Sequence, residues 1–235
     1  MEPTLPGARE SYLDLGRYYD ALRLEKRREE LTVLTGRYKA AYRRAYAFLA
    51  AAGALNAPEP PLPEAEAAEA AERCLALLPA APPAPGASRD LFLDAFTCEG
   101  PLSLTEQLAG WRQLRLDGGP EAVSRVLLRL AEAAERGGAP VLRCHDPLRP
   151  SRVRRLLFPA QQTAFSAGEG GETVLSLPGP AEAAPAEQAR LLETARAALR
   201  EAKSQHDALE EVYNPCVDFA GVYAEAVRHI HTKLS

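Results

Sequence analysis

A chain of 235 residues with 28 basic and 32 acidic side chains has a formal net charge of −4, so no global basic field draws it to nucleic acid or an anionic membrane. There is no apolar run of membrane-spanning length, and "MEPTLPGARE" is no secretory signal; a soluble, cytoplasmic protein with no membrane partner is expected. The four cysteines (Cys74, Cys98, Cys144, Cys216) are scattered without a C-x-x-C pair, which argues for free, mostly buried thiols and against a structural zinc site.

In chain order, residues 21–54 read as one long helix. Leu24, Leu31, Leu34, Tyr38, Ala41, Ala45, Phe48 and Ala52 recur at helical spacing and lay an apolar stripe along one face. The Pro-rich connectors "NAPEPPLPE" (56–64) and "PAAPPAPGAS" (79–88) flank a short Ala/Glu helix at about 64–78. Strands are expected at 91–96, 111–116, 140–145, 163–167 and 173–177, with helices near 102–109 and 120–136. Gly137-Gly138 would cap the second of these. Strand, Gly turn, helix and strand within some thirty residues make a βαβ unit, hence a parallel α/β sheet.

From about 184 to 213, Leu192, Ala195, Leu199, Ala202, His206, Leu209 and Tyr213 form a heptad-like seam. "NPC" (214–216) breaks it, and Asp218 can cap a last helix with Phe219, Tyr223, Ala226 and Ile230 facing inward. The two long helices are expected to pack antiparallel beside the sheet.

"RLDGGPEAVSRVLLRL" (115–130) has the layout of a phosphate-binding loop: strand, Gly-Gly turn, then a helix opened by Pro120. A working loop reads G-x-x-x-x-G-K-[ST]; its glycines bring backbone N–H groups to the phosphates, its lysine reaches the β/γ-phosphates and its hydroxyl holds Mg²⁺. Here Glu121 and Val123 stand at glycine positions, Ser124 at the lysine and Arg125 at the hydroxyl residue. No lysine occurs between residues 40 and 202 to substitute. Val123 adds a branched side chain where backbone must touch phosphate. Glu121 adds a carboxylate that satisfies the helix dipole and repels an anion. ATP hydrolysis by this chain alone is therefore not expected.

The stretch 96–159, with its Thr-x-x-Gly segment, the degenerate loop, the "C-x-D-P" turn and "L-x-x-P", resembles the C-terminal half of a little-characterised bacterial P-loop ATPase family built from two tandem P-loop halves. "REAKSQHDALEEVYNPCVDF" (200–219) is similar to that family's closing helix, and "PGARESYLDLGRYYD" (6–20) with "RRAYAFLAAAGAL" (43–55) to the end of its first half. The resemblance implies a small three-layer P-loop NTPase-like sheet at 89–180. An N-terminal helical segment with Pro-rich linkers (1–88) and a C-terminal helical segment (181–235) flank it. On this reading Met1 begins just before the join between the halves, so the first P-loop domain is absent.

Further candidates are ambiguous from sequence. Gly118, Gly119, Ser124 and Arg125 would be the phosphate-binding set. Asp146 lies past a strand end, where α/β sites form, but also precedes Pro147, where Asp suits a turn. Arg149, Arg152, Arg154 and Arg155 could hold a phosphate, or form a solvated edge. His206, Asp207 and Glu210 could orient a water or bind a metal through i, i+4 ligands, or be a satisfied seam histidine. The reading is a non-hydrolysing interaction or regulatory module with no catalytic residue and no resident cofactor, docking on a protein partner or on itself through its helices. Residual Mg-ATP or phosphate binding stays open. The alternatives are an ATPase or nucleotide-kinase-like enzyme completed by another subunit, and an arginine-dependent phosphate or RNA binder.

Overall fold

The computed structural model describes residues 13–55, 61–80, 88–168, 170–179 and 186–234. Most of both Pro-rich connectors, and the expected start of the second long helix at 184, lie outside these. The chain divides into two compact units, Met1–Tyr42 with Glu201–Ser235, and Arg43–Arg200. The second half of the first long helix, the Ala/Glu helix and the first half of the second long helix thus group with the sheet.

The first long helix is interrupted. A short α1 (Ala21–Glu25) is capped by Asp20, whose Oδ1 accepts the Arg23 N–H at 3.0 Å, and α2 runs Arg28–Ala54. In the sheet unit, α3 (Glu64–Leu75) offers Ala67, Ala70, Ala71 and Cys74 on one buried face. These small side chains let it lie closely on α4 (Pro120–Arg136). The strands are β1 (Arg89–Leu91), β2 (Asp94–Thr97), β3 (Gly100–Ser103), β4 (Arg112–Asp117), β5 (Leu142–His145), β6 (Val153–Phe158), β7 (Thr163–Ala167) and β8 (Glu172–Ser176).

β2 and β3 form a separate antiparallel hairpin; the other six make one sheet in the order β1-β5-β6-β7-β4-β8. Five of its strands are parallel to one another, and β6 alone is reversed. The expected strand at 91–96 is divided between β1 and β2, in different sheets, and two strands were not expected: β3, and β6 within the run of arginines at 149–155. Short links, residues 146–152 before it and the Pro159–Gln161 turn after it, leave only antiparallel pairing open. A bulge against Cys144/His145 turns Val153 into the main core while Arg155 lies opposite Cys144.

Val123, Val126, Leu127 and Leu130 of α4 pack with Leu114, Leu116, Leu156, Phe158 and Phe165 on one sheet face, and α3 covers α4. The opposite face holds Leu93, Leu108, Cys144, Leu157 and Ala164, with Trp111 against them. Leu93 comes from the link between β1 and β2, and Leu108 from a single 3₁₀ turn, Thr105–Leu108, which follows the β2–β3 hairpin in place of the expected helix at 102–109.

In the other unit, α5 (Ala186–Tyr213) contributes its second half and α6 (Phe219–Leu234) closes the chain. Asp218 caps α6 as expected, accepting the Gly221 N–H at 2.9 Å. The facing is reversed: Phe219, Tyr223 and Ile230 are 57%, 72% and 55% exposed, and Ala226 is exposed with them. The buried residue is Glu225, whose Oε2 accepts from Arg17 Nη2 (2.5 Å), Tyr18 OH (3.1 Å) and Arg228 Nη1 (2.5 Å). Two of these donors, Arg17 and Tyr18, come from outside α6 and dock the helix by its polar side against its apolar pattern.

Candidate functional site

β4 leads directly into α4 through two residues, Gly118 and Gly119. Gly118 has φ +144°, and a Cβ there would meet the Leu177 Cβ at 2.7 Å and its carbonyl oxygen at 2.8 Å. Its glycine is thus required by the chain leaving β8, which lies against the turn. The Gly119 N–H, a phosphate donor in a working loop, donates to Pro178 O at 3.1 Å, and Leu177 N–H donates to Asp117 O at 2.7 Å. Ser124 is buried, and its Oγ accepts the Val153 N–H at 3.0 Å, tying α4 to the start of β6. Arg125 points to solvent.

The connection after β4 passes to β5 on one side, and the connection after β7 passes to β8 on the other. These two connections cross rather than diverge as they do at a ligand-binding switch point, and a crevice lies beyond the carboxyl ends of β4 and β7. Here the crevice, lined by Asp117, Gly118, Asp146, Arg152, Arg154 and Gly168 among others, holds only about 60 Å³. Ligand pockets for drug-sized molecules run to roughly 300–1,000 Å³.

What fills the crevice is an ion network. The Arg152 side chain is 4% exposed; its Nε lies 2.9 Å from Glu121 Oε1 and its Nη1 3.8 Å from Asp146 Oδ2. Arg149 Nη1 approaches the same Glu121 oxygen at 2.7 Å. The Glu121 carboxylate therefore occupies the N-terminal turn of α4, where an anion would bind. Asp146 is the turn residue: Oδ1 accepts the Leu148 N–H at 2.9 Å. Sequence reasoning singled out Glu121 and the arginines separately; the pairing depends on the 146–152 link folding back over α4.

His206, Asp207 and Glu210 lie in the other unit and come together on α5, with ligand atoms within 4.8 Å of one another. His206 Nδ1 is 3.3 Å from Glu210 Oε1, the Tyr38 ring meets the imidazole edge-on at 5.7 Å, and Lys203 Nζ donates to Asp207 at 2.6 Å. All three are accessible to solvent, and Asp207 is engaged by a cation.

A second cluster escaped the sequence reading. Asp90 on β1 accepts from Arg143 Nε (2.8 Å) and Nη2 (3.1 Å) on neighbouring β5, and pairs with His145 Nε2 at 2.8 Å. The Arg143 hydrogen bonds, then that of His145, hold its carboxyl well below the usual carboxylate range. Asp94 is likewise lowered: burial opposes ionisation, but the Ser103 hydroxyl and the Arg155 guanidinium outweigh it. No helix among the described residues is long and apolar enough to cross a membrane. No protein-family model, curated protein or solved structure matches this chain.

Proposed function

We propose that this protein is a non-hydrolysing relative of P-loop ATPases, acting as an interaction or regulatory module whose strand–turn–helix unit is kept as scaffold. The observation that carries this reading is the crevice of about 60 Å³ beyond β4 and β7, filled by the Arg152–Glu121–Asp146 network at the helix terminus. A nucleotide would need that network dismantled and the Gly119 amide withdrawn from Pro178. The outward stripe of α6, with Phe219, Tyr223 and Ile230 exposed, supports a role in association.

Thermal melting with Mg-ATP, Mg-GTP and inorganic phosphate tests the reading. A ligand at a hundred times its Kd stabilises by about 2.7 kcal/mol, a visible shift in midpoint. No shift with any of the three is expected. A clear shift with Mg-ATP that Arg125→Ala abolishes would sink the proposal and favour an enzyme completed by another subunit.

A further inference from the structure

Within the sheet unit, a second cavity of about 620 Å³ opens between the β2–β3 hairpin, the turn after β5 and the first turns of α5. Part of its wall is apolar: Phe96, Pro101 and Leu102 from the hairpin, Pro147 and Leu148 from the turn, and Leu192 from α5. Its volume lies in the range of small-molecule sites. Three carboxylates reach it, and each is engaged. Asp94 accepts from Ser103 Oγ at 2.6 Å and pairs with Arg155; Asp146 accepts the Leu148 N–H; Glu193 accepts from Arg196 Nη1 at 3.1 Å.

The cations do not balance in the same way. Arg154 lines both this cavity and the crevice beyond β4 and β7; its charge helps keep Asp94 ionised, but it makes no hydrogen bond or close ion pair among the described residues. Arg196, also in the wall, has a buried Nε with no hydrogen-bond partner. A partly apolar cleft lined by the Arg154 guanidinium, and by Arg196 whose Nε is left over after its pairing with Glu193, is complementary to one anionic head carried on an apolar tail.

We infer that this cleft is a binding site for a small amphipathic monocarboxylate, its head on Arg154 beside Arg196 and its tail over Phe96, Leu102, Leu148 and Leu192. The site is distinct from the β4–α4 turn and does not depend on how that turn is read.

The test uses octanoate and its neutral isostere octanamide, titrated into the full chain and followed by leucine methyl NMR. Octanoate should saturate and shift the Leu102, Leu148 and Leu192 methyls. A hydrogen-bonded charge contributes about 1.5–3 kcal/mol, so Arg154→Gln should weaken octanoate by about 10- to 100-fold while leaving octanamide unchanged. Leu102→Asp, at a half-exposed position that tolerates it, should weaken both ligands. The inference is overturned if about 10 mM octanoate, enough to saturate a 1 mM site, moves none of the three methyls. It is equally overturned if Arg154→Gln leaves octanoate binding unchanged, or weakens the amide as much as the acid.

Discussion

Replacing Glu121 by alanine separates the two meanings of the α4 N-terminus. In the native protein its Oε1 accepts from Arg149 Nη1 at 2.7 Å and forms an ion pair with Arg152, whose Nε lies 2.9 Å away. Breaking a fully buried pair costs about 3–5 kcal/mol because a charge is stranded, whereas an exposed pair is worth at most about 1 kcal/mol. This network lies between: Arg152 is buried, but Glu121 itself is 53% exposed, and Asp146 stays 3.8 Å from the guanidinium. A loss of about 2 kcal/mol follows, or a fall in Tm of about 4–8 °C for a chain of this length. Differential scanning calorimetry should show that fall. Inorganic phosphate should recover part of it in the Ala variant and none in the native protein, since a dianion can then sit between Arg149 and Arg152 at the helix terminus. A variant as stable as the native protein would refute the argument that Glu121 is the built-in anion of this site.

Three further outcomes follow from the same structure. Asp90 has a depressed carboxyl pKa, so its stabilising effect is complete above the unfolded-state pKa near 3.9 and is lost as pH falls below it. Asp90→Asn should flatten the acid limb of stability between about pH 5 and pH 2 in urea titrations, leaving a smaller pH dependence than the native chain. Gly118→Ala must fit a Cβ 2.7 Å from the Leu177 side chain at φ +144° and should cost about 2–3 kcal/mol by urea denaturation; a neutral result would mean β8 does not press on the turn. Burial raises the Cys74 and Cys144 thiols to about 11 and about 12. A thiol reagent at pH 8 should therefore spare both in the folded protein and label Cys98 first; equal rates would show the core open.

Helices α3 and α4 were legible because their periodicities are local, and the start of α6 because its Asp218 cap is. The Pro120 start, the Gly137-Gly138 end and the Asp218 cap all appear where the sequence puts them. β6 was not legible, because Arg154 and Arg155 interrupt its apolar run; only the bulge against β5 reconciles two adjacent arginines with a central strand. Nor was the facing of α6, since Glu225 finds Arg17 and Tyr18 some two hundred residues away in sequence. The candidate site was half legible: the missing lysine and glycines can be read directly, but the Arg149–Glu121–Arg152 network and the capture of the Gly119 amide by Pro178 are tertiary.

The reversed β6 also sets a timetable for folding. β5, β6 and β7 are consecutive in the chain and pair as a meander, Leu142 with Leu157 and Arg155 with Ser166. The parallel pairings must instead close long loops, joining Arg89 to Leu142, Arg112 to Thr163 and Leu114 to Glu172. Loop-closure entropy delays such contacts until something local is in place to receive them. We expect amides of 142–167 to gain protection first in pulse-labelled hydrogen exchange during refolding, with β1, β4 and β8 following. Simultaneous protection of all six strands would contradict this order. On this timetable the single antiparallel strand is the template on which the two outer parallel halves of the sheet assemble.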